Sequence, residues 1–168
     1  MSISNTFIRF VFAFSFFFIS FAVIAEPTLE EVVVSARKVD ESVQDVPIAM
    51  SVFTSSDISD AGIERPEDFI ALTPNVVMAN TVNVGDTLVT IRGLTSTRDA
   101  ESNFAFVVDG VLQTNPNAFN RELLDIAQIE VLKGPQGALY GRNATSGAIL
   151  ITTKAPSEES ESTAVIGM

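Results

Sequence analysis

One stretch near the C-terminal end, residues 129–154, constrains the fold more than any other: IEVLKGPQGALYGRNATSGAILITTK holds four of the chain's nine glycines. Ile129-Glu130-Val131-Leu132-Lys133 has strand chemistry, Gly134-Pro135 stops it, and residues 147–153 restart a β-branched run. The pattern is strand, compact loop, strand. Gly134, Gly137, Gly141 and Gly147 carry no Cβ, so the loop can turn tightly or let another backbone come close. A phosphate cradle would need a lysine and a Ser/Thr after the last glycine, or G-x-G-x-x-G opening a helix, and neither spacing occurs. Ala148-Ile149-Leu150-Ile151 favours a strand over the helix whose N-terminus would hold an anion. On chemistry alone, a glycine-rich structural corner is the default.

Composition narrows the function classes. A chain of 168 residues allows one domain. With no cysteine there is no disulfide framework, thiolate metal site or cysteine nucleophile, and with no histidine the commonest general base and metal ligand is missing. The acids are scattered and no pair has the spacing of an acid and a base, so no catalytic residue, cofactor or metal site is expected. A net charge of −11 argues against a nucleic-acid partner. Much of the chain's apolar character comes from residues 1–25, where Arg9 is the single charge and residues 10–24 form an apolar run. This run is shorter than the roughly 20 residues that span a bilayer, so it reads as a signal peptide cut before Glu26, with a membrane anchor as the alternative.

Residues 26–45 form a polar extended segment around Val32-Val33-Val34, a β-prone island that suits pairing with a partner's sheet edge or an ordinary N-terminal strand. Residues 48–54 alternate as a strand. Ser55 or Ser56 is placed to cap a helix through Ala61, ended by Gly62. Pro66-Glu67-Asp68 opens a second helix, with Phe69 and Leu72 as its apolar pair and Pro74 closing it. Strands follow at 76–79, 88–93 and 104–108, the last apolar on both faces and so central. Asp109-Gly110 is a turn, and residues 122–127 are expected to form one helical turn. Three polar loops separate these elements, carrying Asn80, Asn83 and Asp86, then Arg98 and Asp99, then Gln113, Asn115 and Asn117. The expected fold is α+β: a roughly four-stranded mixed sheet, short helices and long polar loops.

The wording of residues 130–154 resembles the plug domain of TonB-dependent outer-membrane receptors. Ile91-Arg92-Gly93 and Val107-Val108-Asp109-Gly110-Val111 match two further plug segments in the same order, and Glu30-Glu31-Val32-Val33-Val34-Ser35-Ala36 resembles the TonB box, with serine where threonine is more usual. The resemblance covers about residues 30–156. It implies a signal peptide at 1–25, a TonB-box segment at 26–45, a plug at 46–156, and a linker at 157–168 that runs toward a first barrel strand. It also implies the outer membrane for a full receptor and the periplasm for this chain alone. No transmembrane barrel fits within this chain, so a truncated receptor is the expected reading.

The same resemblance implies energised uptake of a ferric siderophore or another scarce nutrient. Glu31, Val32, Val33, Val34, Ser35 and Ala36 would engage TonB and its inner-membrane energising complex. The three polar loops would face the ligand, an organic ferric chelate being favoured in a plug without histidine or cysteine. The glycines of the matched segments, Gly93, Gly110, Gly134, Gly137, Gly141 and Gly147, would be structural. Family plugs are locked to the surrounding barrel by arginines paired with wall glutamates. Arg92 matches one of these, and either Lys133 or Arg142 matches the second. A free periplasmic domain that binds a ligand or protein without transport is the alternative.

Overall fold

The computed structural model describes residues 31–35, 38–80, 87–96, 101–115 and 118–156, the side chain of Asn80 excepted. The expected signal peptide, the 157–168 tail, and Ala36, Asn83, Asp86, Arg98, Asp99 and Asn117 lie outside the described residues. In chain order the elements are β1 (Val33–Val34), β2 (Glu41–Ser42), β3 (Met50–Thr54), α1 (Ser55–Ala61), α2 (Pro66–Ala71), β4 (Val76–Asn80), β5 (Thr87–Ile91), β6 (Leu94–Thr95), β7 (Phe104–Val108), β8 (Val111–Leu112), β9 (Ile126–Lys133), α3 (Gly137–Tyr140) and β10 (Gly147–Thr153). No helix among the described residues is long and apolar enough to cross a membrane.

The strand–loop–strand of residues 129–154 is the centre of the molecule. β9 and β10 pair antiparallel, β3 adds antiparallel to β9, and β7 adds parallel to β10. With the two-residue β8 at one edge, the order is β3-β9-β10-β7-β8, so the mixed sheet has four long strands and one short one. β4, β5 and β6 form a separate antiparallel sheet, and β1 with β2 a third. The glycine-rich loop contains one helical turn, α3, between Gln136 and Gly141.

Period-two alternation sorts the central sheet into two faces. On one face Phe104, Phe106, Ile129, Val131, Ile149 and Ile151 join Ile91, Val89, Phe69 and Ile70 in the larger core cluster. Phe119 folds back over it, edge-on to Phe104 and Phe106 at ring-centroid distances of 5.1 and 5.0 Å. Each such buried side chain contributes about 2–3 kcal/mol, and an edge-to-face pair about 1 kcal/mol more. On the other face Ala105, Val107, Leu132, Ala148 and Leu150 form a smaller cluster, packed by Met50, Leu112 and Tyr140.

The local structure corrects several expectations. Thr54, not Ser55 or Ser56, caps α1: it ends β3 with extended φ −78°, and its hydroxyl accepts from the Asp57 amide at 3.3 Å while the Asp57 carboxylate accepts from the Thr54 amide at 2.8 Å. In α2 the buried partner of Phe69 is Ile70, whereas Leu72 is 54% exposed because it already lies past the last turn. Residues 122–127 form no helical turn. Asp125 takes φ 51°, its carbonyl accepts the Lys154 amide at 2.7 Å, and β9 starts at Ile126, whose side chain enters the core past a register shift opposite Thr152 and Thr153. Arg92-Gly93 and Asp109-Gly110 make matching two-residue hairpins, with φ 50° and 81°, then 47° and 78°, the doubly positive signature of a type I′ turn.

Candidate functional site

The valine island at 32–34 does not lie free. β1 pairs with β2 through Val33↔Ser42 and Val34↔Glu41, and the hairpin is laid on the second face of the central sheet. Val34 is buried and Val33 half exposed. Because β9 already has β3 on one side and β10 on the other, side chains of β9 make the bonds to this strand. Gln128 Nε2 donates to the Val33 carbonyl at 3.0 Å, and the Ser35 amide and hydroxyl donate to Glu130 Oε1 at 3.1 and 3.4 Å. Glu130 is 2% exposed. Tyr140 of α3 stands close by, its ring 5.8 Å from the Lys38 ammonium. Burial, and then the charge of Glu130, push its phenol pKa up to about 12. Beside the strand a cavity of about 330 Å³ opens between Ser35, Lys38, Tyr140, Val107, Leu112 and Leu150.

A second feature lies at the end of the sheet where Lys133, Gly147 and Phe104 align. Arg92, held at the β5–β6 turn, brings its guanidinium to within 3.2 Å of where a Cβ on Gly134 would stand. Lys133 donates to Ser51 Oγ at 3.1 Å, and burial, then the charge of Arg92, lower its pKa. Among the described residues neither cation has an ion-pair partner. Arg142 is not part of this pair: it bonds Glu101 at 3.2 Å on the exposed surface. Two of the three candidate cations thus come together and the third does not.

Of the loop candidates, Gln113 and Asn115 are described in full. The Gln113 amide bonds the Phe106 carbonyl at 2.8 Å, and its side chain bonds the Val111 carbonyl at 3.2 Å. The second loop is anchored by Asn103, whose side-chain oxygen accepts from Ser96 Oγ at 2.7 Å and Ser146 Oγ at 3.1 Å. This ties the loop's base to the glycine-rich stretch. Among the six candidate glycines, Gly93, Gly110, Gly134 and Gly141 have positive φ, while Gly137 and Gly147 do not. Sequence reasoning passed over Glu130, Gln128, Tyr140 and Asn103. Glu130 had a visible signal, a carboxylate inside an apolar strand run. The described residues hold no group of three or more His, Cys, Asp or Glu arranged for a metal ion.

The family model described as "TonB-dependent Receptor Plug Domain" matches residues 42–148. The pesticin receptor of Yersinia enterocolitica is 31% identical over 132 residues, covering 78% of this chain and 19% of that protein. The vitamin B12 transporter BtuB of Vibrio vulnificus is 32% identical over 139 residues, covering 79% and 22%. Among solved structures, the ferric yersiniabactin uptake receptor FyuA from Yersinia pestis aligns with a TM-score of 0.60 at 31% identity, over 65% of this chain and 17% of that one. By name these relatives are receptors and transporters. The chain spans about a fifth of the length of the curated relatives it matches.

Proposed function

We propose, starting from the fact that this chain belongs to the family of TonB-dependent receptor plug domains, that it serves as the N-terminal plug of an outer-membrane receptor for energised uptake of an organic ferric chelate. Residues 31–36 are the segment that pairs with TonB, the periplasmic end of the inner-membrane energising complex. The observation that carries this reading is β1: a two-residue strand that, among the described residues, has its hairpin partner as its one strand neighbour, half exposed at Val33 and at the N-terminal boundary of the plug. Such a strand can leave its place and add to a partner's sheet edge without disturbing the central sheet.

The ferric-chelate assignment is supported by FyuA, a ferric uptake receptor at 31% identity, and by a plug with no histidine or cysteine to grip a bare metal ion. The paired cations Arg92 and Lys133 support a surrounding barrel wall that supplies acidic partners. Lys133 is favoured over Arg142 as the second contact because Arg142 already has Glu101. As an ammonium, Lys133 offers a point charge where an arginine would offer a bidentate fork. The wall of that barrel would place the receptor in the outer membrane, and this chain alone in the periplasm.

Disulfide trapping tests the reading. In a chain without native cysteine, Val33→Cys gives a single thiol. With a cysteine in the strand-pairing edge of TonB's periplasmic domain, Val33→Cys, at 50% exposure, is expected to crosslink well above Val111→Cys, a more exposed control at 62%. Equal crosslinking at the two positions would count against residues 31–36 as the TonB segment, and would favour a free periplasmic binding domain.

A further inference from the structure

We propose that Glu130, with Gln128 beside it, is a positioning residue that clamps the N-terminal strand onto the face of the plug sheet and sets how readily that strand is released. This rests on the reading of residues 31–36 as the partner-pairing segment.

A single row of side chains runs across the second face. Register pairs place Val52, Glu130, Leu150, Val107 and Leu112 side by side on β3, β9, β10, β7 and β8. Four of the five are aliphatic, and the fifth is a carboxylate at 2% exposure. A leucine would suit the row, and a buried carboxylate is costly unless it is hydrogen-bonded. Its bonds run to Ser35, 95 residues away in sequence. Gln128 joins it from the same strand, donating both to Glu130 Oε1 at 3.3 Å and to the Val33 carbonyl at 3.0 Å.

β1 lies over the sheet's face, so no strand edge is free to make a ladder with it on that side. Side chains of β9 therefore take the place of a backbone neighbour. Apolar contact shares the hold through a single side chain: Val34 is buried, Val33 is half exposed, and the 330 Å³ cavity opens next to Ser35. When the strand lifts, water can replace Ser35 on the carboxylate, so little is lost at Glu130 itself. The polar part of the hold is therefore exchangeable with water, and it steers the strand onto the sheet beside the seated Val34 without locking it there.

The test is hydrogen exchange by NMR on the whole secreted chain, read at the Ser35 amide and, as a control, along β7 and β10. Glu130→Leu keeps the volume and removes the acceptor. Ser35 exchange is expected to quicken about tenfold while β7 and β10 stay unchanged. Glu130→Gln, which keeps an acceptor oxygen, is expected to restore much of the protection, and Gln128→Ala to give an intermediate loss. Ser35 exchange within about twofold of the parent in Glu130→Leu, with β7 and β10 intact, would overturn the clamp. Should Glu130→Leu loosen the whole sheet, Gln128→Ala decides: quicker Ser35 exchange with β7 and β10 intact supports the clamp, and exchange within about twofold of the parent overturns it. Crosslinking from Val33→Cys to TonB, repeated in the Gln128→Ala background, is expected to speed up. Quicker Ser35 exchange without any crosslinking would leave the clamp standing and reject the TonB assignment of residues 31–36.

Discussion

A Cβ on Gly147 would collide with the carbonyl oxygen of Leu132 and press on Ile91 Cδ1 at 3.2 Å, so β9 and β10 close only around a bare Cα. Gly147→Ala is expected to lower the unfolding free energy by about 3 kcal/mol, read as a fall in the urea midpoint. Gly137 is the contrast. It starts α3 with an ordinary φ and open space around its missing Cβ, so Gly137→Ala is expected to be neutral or to stabilise by up to about 1 kcal/mol. Equal losses at both positions would refute the steric account. The clustering of these glycines is legible in the sequence, but what each one does is not. Gly147 is fixed by Leu132 on the neighbouring strand, and no local pattern announces that. Glu130 is the same case, since its oddity among Ile129, Val131 and Leu132 can be read directly while its partner Ser35 comes from the far end of the chain.

At the scale of elements, alternation and turn chemistry located most of the strands, because each run of five or more residues has one or both faces in a core. The boundaries failed where tertiary contacts overrule local preference. Residues 122–127 look helical in isolation, yet Ile126 is worth more in the core as the start of β9. The cap of α1 moved for a related reason: β3 runs without a break into the helix, and the last extended residue, Thr54, is the one whose hydroxyl can reach the Asp57 amide. Thr54→Ala is expected to cost about 1 kcal/mol of stability. The Asp57 pKa, held below 3.8 chiefly by its side-chain bond to Thr54, is expected to rise, which an NMR titration would follow. An unmoved Asp57 pKa would mean that the box does not form. The β1–β2 hairpin was the least legible element, since a β-prone island in a polar segment states a need for a partner and not which partner answers it.

At the scale of the molecule the two faces of the central sheet are unequal, and the thinner one carries the only tyrosine. Tyr140 helps to cover that face beside Glu130 and the N-terminal segment, where burial first and the carboxylate second push its pKa up from 10.0 to about 12. The folded chain therefore holds the phenolic proton more tightly than the unfolded chain does. Between pH 10 and 12 the unfolded state binds fewer protons, so stability falls as pH rises. The contribution is complete below pH 10 and is lost as the pH passes through the folded value near 12. With no tryptophan and a single tyrosine, phenolate absorbance reports this group alone. Its midpoint in the folded chain is expected near 12, and in urea near 10. Tyr140→Phe removes the ionisation, so its unfolding free energy is expected to decline less steeply than the parent's across that interval, whatever the two values are at neutral pH. A folded-state midpoint at 10 would mean that the N-terminal segment and α3 do not shield the phenol.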